Sequence, residues 1–437
     1  MKIETAVIGA GPAGLGAGHA LAQGDKKSWH IFEATGRVGG LASSRVDKNG
    51  FTWDLGGHVI FSASPLFNAV VDAALGADAL RHTRKSFIRM SGRFIPFPLQ
   101  NNIHRLPPRI MRECLRGLVE AQSAFGKPQN FEQWIPRNLG AGIAKHFMFP
   151  YNRKLWAFPL DQMGHWWIDG RVAVPSVESI KKAVASGSDD HSWGPNAGFS
   201  FPLRGGTGGL FANIARPFIG NVSLRHAAQK IDVKKKKIIF SNGTTASYGR
   251  LVTTAPLDML VKGILKNPPK DVLAAAGKLR SNGGWVVGIG INRKADADRC
   301  WVYSPDSGVP FYRVTYFSNY SPLNVPRPGK QASFMCEISS GPLHKRSGGT
   351  IISETVDGLI RCGIMREGDK KMIATTWKLR LPYLYPIPAL GRDEALAVIG
   401  DYLCAHDIAS VGRFGGWRYE EGNMDHSFLA GYSAVGW

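Results

Sequence analysis

The stretch FYRVTYFSNYSP at 311–322 sets one cation, Arg313, among five aromatic side chains, with no carboxylate in the stretch to neutralise it. A guanidinium keeps its charge at physiological pH and offers a planar fork that matches the paired oxygens of a phosphate. Stacking on the rings for packing alone is the other use of such an arginine. A second chemistry is written near the N-terminus. In VIGAGPAGL at 7–15, Gly9, Gly11 and Gly14 keep G-x-G-x-x-G spacing directly after an apolar run and ahead of a helix-like segment. Gly9 permits the tight turn, Gly11 lets backbone approach a pyrophosphate, and Gly14 lets helix pack closely on strand, so a dinucleotide would meet the helix N-terminus. A second strand, WHIFE at 29–33, ends in Glu33, placed for a ribose hydroxyl, and GRVGGLASS at 36–44 adds another glycine-rich loop.

The elements that must position these residues change character along the chain. From about 104 to 185 helical patterns dominate; Leu139, Ile143 and Phe147 share one face, and Pro150 is expected to end that run. SGSDDHSWG at 186–194 reads as a small, polar, mobile loop that could act as a lid. Glycine turns and a helix return in FPLRGGTGGLFANIA at 201–215, followed by a hairpin at 228–247 turning at Asn242-Gly243 and a buried strand in LVTTAPL at 251–257. Between about 280 and 385, WVVGIGI, PFYRVTYF, ASFMCEI and MIATTWKL suggest an antiparallel sheet. The expected fold is α/β: a Rossmann-like dinucleotide domain assembled from 1–62, 195–262 and 395–437, a helical domain with the loop over 104–194, and an antiparallel sheet domain over 63–103 and 263–394.

Composition narrows the partners. The chain has 437 residues, 44% hydrophobic and 20% charged, which is ordinary for a globular protein, and its net charge of +21 draws anionic partners. The one dense basic run, KKKK at 234–237, reads as a solvated edge strand protected from aggregation, and no zinc-finger, RNP-like or basic-helix pattern supports nucleic acid. An anionic small molecule accounts for the charge more economically. Neither a signal peptide nor a membrane span is expected, and five dispersed cysteines without metal-ligand spacing suit a reducing, cytoplasmic setting.

The second glycine loop, with Arg37, Gly39 and Gly40, resembles that of FAD proteins of the amine oxidase and glutathione reductase type, so FAD is the expected dinucleotide. Across almost its whole length the sequence resembles the UDP-galactopyranose mutase family, its eukaryotic branch more than the shorter bacterial one. The resemblance is carried by GGHVIFS at 56–62, PFPLQNNI at 96–103, PYNRKLWAFP at 150–159, GRVAVP at 170–175, WGPNAGFSFPLRGGTGG at 193–209, FYRVTYFSNYSP, and WRYEEGNMDHSF at 417–428. It implies an isomerase that interconverts UDP-galactopyranose and UDP-galactofuranose with no net redox change, reduced flavin N5 attacking the anomeric carbon as the nucleotide diphosphate leaves.

Residue by residue, the resemblance implies that Arg171 and Arg313 grip the diphosphate, with Tyr385, Tyr419 and Asn423 reaching it. Asn152, Trp156, Asn196, Trp301 and Tyr303 would line the nucleotide and sugar pockets, and Phe97 and Gln100 would form the uracil platform. The family favours tyrosine where Phe97 stands and phenylalanine where Leu99 stands, which alters that platform. His58 would face the flavin N5 edge, and Arg413 would contact the isoalloxazine. Pro12, Ala13, Ala34, Leu41, Gly57, Gly422 and Ser427 complete the implied FAD contacts, together with Met424, which replaces a glutamine of the eukaryotic pattern. Arg84 and Ser86, in HTRKSF, form either a solvated basic loop or a site accepting NADPH as reductant. The sequence ends just after HSFLAGYSAV, short of the closing helix expected of the family. The alternatives are a mutase for another nucleoside-diphosphate hexose, an FAD-dependent oxidoreductase of amine oxidase type, which would share the FAD fingerprint, and a non-catalytic nucleotide-sugar binder; a homo-oligomer is compatible with each.

Overall fold

Residues 2–8, KIETAVI, place β-branched and apolar side chains at the positions that become buried, and form strand β1 (Lys2–Ile8). The computed structural model describes residues 1–24, 28–123, 126–191 and 193–436, and in it β1 runs into the glycine turn and helix α1 (Pro12–Gln23). Pro12 sits at the start of that helix, where a missing N–H is harmless. Strand β2 (Trp29–Phe32) returns parallel to β1. Beyond β2 lies Val222–Ser223; on the other side β1 pairs in parallel with Thr245–Thr253, which in turn pairs with Ile408–Ser410. Two antiparallel strands, Lys237–Phe240 and Ala228–Asp232, complete this seven-stranded sheet from segments far apart in sequence. Gly243, at φ +80°, makes the expected hairpin turn. The KKKK run is largely the tight turn between the two outer strands, not an edge strand, and Lys236 is tied to Asp407 and to the Gly249 carbonyl.

The second sheet also has seven strands, in the order Ile373–Ile387, Arg280–Ile291, Ala332–Ser340, Arg313–Tyr316, Trp301–Tyr303, Ser86–Met90 and Arg93–Pro96. Its pairings are antiparallel except between Trp301–Tyr303 and Ser86–Met90. In PFYRVTYF only Arg313–Tyr316 is strand, because the chain turns into a short helix at Phe317–Tyr320. The segment Pro65–Leu75 is a helix whose Phe67, Val70, Val71 and Leu75 join the core around α1, apart from the second sheet.

Pro150 does not end the helical run. Helix Phe131–Ile143 passes through a π segment at Ala144–Met148 into helix Phe149–Trp156, with Pro150 in the first turn of the latter. The wider π turn and the N-terminal position relieve the missing donor that would break a regular helix interior. Leu139, Ile143 and Phe147 are buried in the core of this layer as their spacing implies. At the C-terminus, helix Met424–Ser433 crosses α1 through glycines on both sides: a Cβ on Gly16 would stand 2.0 Å from the Phe428 carbonyl oxygen, and one on Gly431 would stand 1.7 Å from that of Ala13. Among the described residues, no helix is long and apolar enough to cross a membrane.

Candidate active site

The glycine motif folds as its spacing demands. Gly9 takes φ +95°, and a Cβ on Gly14 would lie 1.8 Å from its carbonyl oxygen, so helix α1 and the turn meet backbone to backbone. The second glycine loop lies directly against the first: Gly39 N–H donates to the Ala10 carbonyl at 2.7 Å, and a Cβ on Gly40 would sit 2.9 Å from the Gly11 Cα. Glu33, at the end of β2, accepts from the N–H groups of Ala10 and Thr35, each at 2.8 Å. A cavity of about 710 Å³ opens beside these loops. Its wall includes Gly9, Gly11, Pro12, Ala13, Glu33, Ala34, Gly40 and Leu41 at one end, and His58, Arg413, Gly422, Met424 and Ser427 at the other. Bare backbone for a pyrophosphate, a carboxylate for a ribose and a cation at the far end fit a flavin dinucleotide.

Arg413 links this cavity to a second group of residues. Its Nε donates to the Gly422 carbonyl at 2.8 Å, and its guanidinium carbon lies 5.7 Å from the centre of the Tyr385 ring. Tyr385 comes from the edge strand Ile373–Ile387 and shares a 3.2 Å hydroxyl contact with Tyr312. The Tyr312 hydroxyl donates to Glu337 at 3.1 Å, and Glu337 forms a two-pronged ion pair with Arg313, its Oε1 accepting from Nη2 at 2.7 Å. Tyr303 stands opposite Arg313 in strand register, and Phe97 packs 5.1 Å from Tyr303 between ring centres. On the facing side, Trp156 lies edge-on to Tyr419 at 4.9 Å and to Tyr385 at 5.9 Å, and Arg171 covers the Tyr419 ring at 4.8 Å. Arg171, Arg313 and Arg413 thus converge on one trough walled by tyrosines.

The charges in this trough are set by burial and pairing. Arg313 is not the isolated cation its own stretch implies, because the adjacent strand brings Glu337 directly opposite it. Burial opposes charge on both partners, but each outweighs that effect for the other, so Arg313 stays protonated and Glu337 stays ionised. His58 differs: burial first, then the positive field of Arg413 and Arg313, takes its pKa down to about 3, so the imidazole is neutral. Among the described residues its Nδ1 has no hydrogen-bond partner, nor do the Trp156 indole nitrogen and Gln100 Oε1. Buried polar atoms left unpaired are expensive.

Residues 12–338 match the family described as flavin containing amine oxidoreductase. A crystal structure of reduced UDP-galactopyranose mutase superposes with a TM-score of 0.96 at 38% identity, covering 100% of this chain and 93% of that one. The chain belongs to the UDP-galactopyranose mutase family. A putrescine oxidase bound to putrescine (TM-score 0.68, 14% identity, 100% and 99% covered) shares the fold alone. So does a CLA-producing fatty acid isomerase from P. acnes (0.64, 14%, 99% and 98%). The mutase-family chain is therefore a flavoprotein and an isomerase by kinship, and the cavity described above fits its dinucleotide.

Not every residue singled out from sequence lines a wall of this mutase-family site. Gly14 and Gly39 pack beneath the FAD cavity, Arg37 donates to the Ser44 carbonyl at 3.1 Å, and Gly57 lies against the Arg313 guanidinium. Asn423 is the N-cap residue of helix Met424–Ser433, and Asn152 donates to the Met148 carbonyl at 2.8 Å. Trp301 packs behind Tyr303 at 6.5 Å.

Of the two readings of Arg84 and Ser86, the solvated basic loop does not hold. Arg84 is only 2% exposed and Ser86 lies in a buried strand position. Arg84 donates to Asn196 Oδ1 at 2.6 Å and to the carbonyls of His191 and Trp193, and it stacks 5.4 Å from Phe97. The same loop is held further along by Asn102, which exchanges hydrogen bonds with Asp190, and by Arg105, which grips Asp189 at 2.7 Å; Ser192 lies outside the described residues. The described residues of the loop read as a lid are thus tied down against Arg84, Phe97, Asn102 and Arg105. Glu337, His226, Thr254 and Tyr383 are functional candidates the sequence reading missed. Glu337 had one usable signal, a carboxylate in the otherwise apolar strand ASFMCEI.

Proposed function

We propose that this protein interconverts UDP-galactopyranose and UDP-galactofuranose on reduced FAD, with no net redox change. The observation that carries the proposal is the convergence of Arg171, Arg313 and Arg413 on one set of tyrosines, with Arg413 also lining the flavin cavity. An amine or porphyrinogen oxidase would have no use for paired diphosphate arginines. Bound reduced flavin would supply the nucleophile toward the anomeric carbon.

The chain's own residues do the rest. Arg171 and Arg313 hold the diphosphate and balance the charge it gains as the glycosidic bond breaks. Tyr419 donates a hydroxyl hydrogen bond to it; Tyr385, whose proton goes to Tyr312 while Tyr312 donates to Glu337, would turn it to the diphosphate on binding, and burial lifts the Tyr385 pKa to about 12, which keeps that hydroxyl protonated. Trp156 and the neutral His58 offer the sugar and the flavin edge hydrogen bonds without adding charge. Arg413 favours the anionic reduced cofactor. Phe97 stacks on the base, and the unpaired Gln100 Oε1 accepts from a base N–H, the contact a uracil edge provides. NADPH is the proposed reductant; Arg84 and Ser86 could touch it only if the 189–196 loop lifted away. A cytoplasmic setting, supply of galactofuranose to glycans or cell wall, and a homo-oligomeric state complete the proposal.

The test is an anaerobic assay of dithionite-reduced holoenzyme with UDP-galactofuranose, following UDP-galactopyranose by chromatography, with the oxidised holoenzyme as control. Turnover confined to the reduced form is expected. UDP binding without turnover would move the search to another nucleotide sugar, and absence of UDP binding would return the choice to an oxidoreductase.

A further inference from the structure

Arg392 opens helix Arg392–Cys404 and does not line the flavin cavity, yet its side chain is only 1% exposed. Its guanidinium fork takes both oxygens of Glu420, Nη1 to Oε2 at 2.9 Å and Nη2 to Oε1 at 2.7 Å. Asp393 accepts from its Nε and Nη2 at 3.1 and 3.0 Å, and Arg418 closes the outer side through Asp393 at 3.3 Å. The other end of Glu420 points into the active site, where its backbone carbonyl accepts from Arg171 Nη2. Its chain neighbour Tyr419 supplies the ring on which Arg171 lies.

Arg392 also reaches the segment that carries Arg171. Its guanidinium carbon lies 5.6 Å from the centre of the Trp166 ring. The backbone agrees, since Gly164 N–H donates to Pro388 at 2.8 Å and Leu390 N–H donates to Gln162 at 3.0 Å. Three segments, 162–171, 388–392 and 417–423, therefore meet at one buried cation. A buried ion pair contributes little net stability compared with an apolar contact of similar volume, so stability alone does not account for it. A planar fork that must hold two carboxylate oxygens at once is a reason for arginine here, because lysine presents a single point charge.

We infer that Arg392 is a positioning residue for the diphosphate grip: through Glu420 and Trp166 it holds Arg171 and Tyr419 in register, and so sets substrate affinity without touching substrate. This rests on the mutase reading above. The position of Arg171 relative to Tyr419 is fixed from behind, at the N-terminus of a helix outside the site.

The experiment is a double-mutant cycle on reduced, FAD-loaded holoenzyme: wild type, Arg392→Lys, Arg171→Ala and the double variant, each measured for KM, kcat and UDP Kd. Arg392→Lys is expected to raise KM and UDP Kd about tenfold while kcat stays within about threefold, and in the Arg171→Ala background to add less than about twofold. The same factor in both backgrounds, or an unchanged KM with a lowered melting temperature, would assign Arg392 to structure alone. Should Arg392→Lys fail to give holoenzyme, Glu420→Gln weakens the same fork from the other side and enters the same cycle with the same two outcomes. A wild type that does not bind UDP overturns the mutase reading and this inference together; a wild type that binds UDP alongside additive variants overturns this inference alone.

Discussion

Glu337 holds Arg313 through the Nε–Nη2 edge of its guanidinium, so removing the carboxylate and removing the cation should have different kinetic consequences. Arg313→Ala deletes a charge that would touch the diphosphate, and a loss of about a hundredfold in kcat with FAD retained is expected. Glu337→Gln leaves the charge but frees its orientation. The expected result is a kcat lowered about tenfold with UDP Kd no weaker than wild type, since binding needs the cation and turnover needs its alignment. Titration of UDP against each reduced variant separates the two, and a Glu337→Gln enzyme with weakened UDP binding and intact kcat would contradict that division. At Arg84 the three acceptors on the 189–196 loop define a different expectation. Arg84→Ala should raise the KM for the UDP-sugar about tenfold, because Asn196 and the docked loop lose a common anchor. If instead NADPH-dependent bleaching slows while UDP binding stays intact, the residue serves the reductant.

Elements transmit their packing to the cofactor. Helix Met424–Ser433 approaches α1 closely enough that a methyl at Gly431 would overlap the Ala13 carbonyl, and Ala13 lines the flavin cavity. Gly431→Ala should therefore destabilise the holoenzyme by about 1–3 kcal/mol and speed FAD release, both visible in a melting curve followed by flavin fluorescence. The glycine turn at Gly206 carries a pH-dependent device. Asp54 is fully buried under the start of helix Gly206–Ala215, and burial lifts its pKa from 3.8 to about 7. Thr207 Oγ1 has one proton to share between the Ala42 carbonyl at 3.0 Å and Asp54 Oδ2 at 2.9 Å, and a protonated Asp54 satisfies both contacts. The folded pKa lies above the unfolded one, so the folded state binds more protons between 3.8 and about 7, and this group's contribution to stability falls as pH rises through that window. Asp54→Asn donates as the protonated acid does, so its melting temperature relative to wild type should climb from about pH 5 to about pH 8; a constant difference would show that Asp54 is ionised throughout. These elements were legible to different degrees. Gly9, Gly11 and Gly14 announce their turn because their spacing encodes a local backbone path, whereas Pro150 misleads, since a proline reads as a break unless the π turn before it is known.

At the scale of the whole molecule, the trough is built from contacts that sequence separation conceals. Arg313 and Glu337 lie in different strands and meet through register, and Arg392 reaches Arg171 only through the turn of one helix and two loops. Residue types and local motifs give the two arginines; the topology that pairs one with a carboxylate is not contained in either stretch. The net charge of +21 is legible from composition, and the structure explains part of its use. Lys236, Arg105 and Arg313 are bound to carboxylates, while among the described residues Arg171 and Arg413 make hydrogen bonds to backbone carbonyls and no ion pair, so positive potential is left where the proposed anionic sugar nucleotide would sit. Long-range attraction of this kind is screened over a Debye length of about 10 Å at about 0.1 M salt. The capture step should feel it and the later chemistry should not. Raising potassium chloride from about 20 to about 300 mM is expected to lower kcat/KM for the UDP-sugar about three- to tenfold while kcat stays constant. The signature is a salt slope that shrinks in Arg171→Ala, which removes a cation from the trough. A slope unchanged in that variant would place the steering charge elsewhere on the surface, and a flat wild-type profile would mean that the excess charge serves a partner other than the substrate.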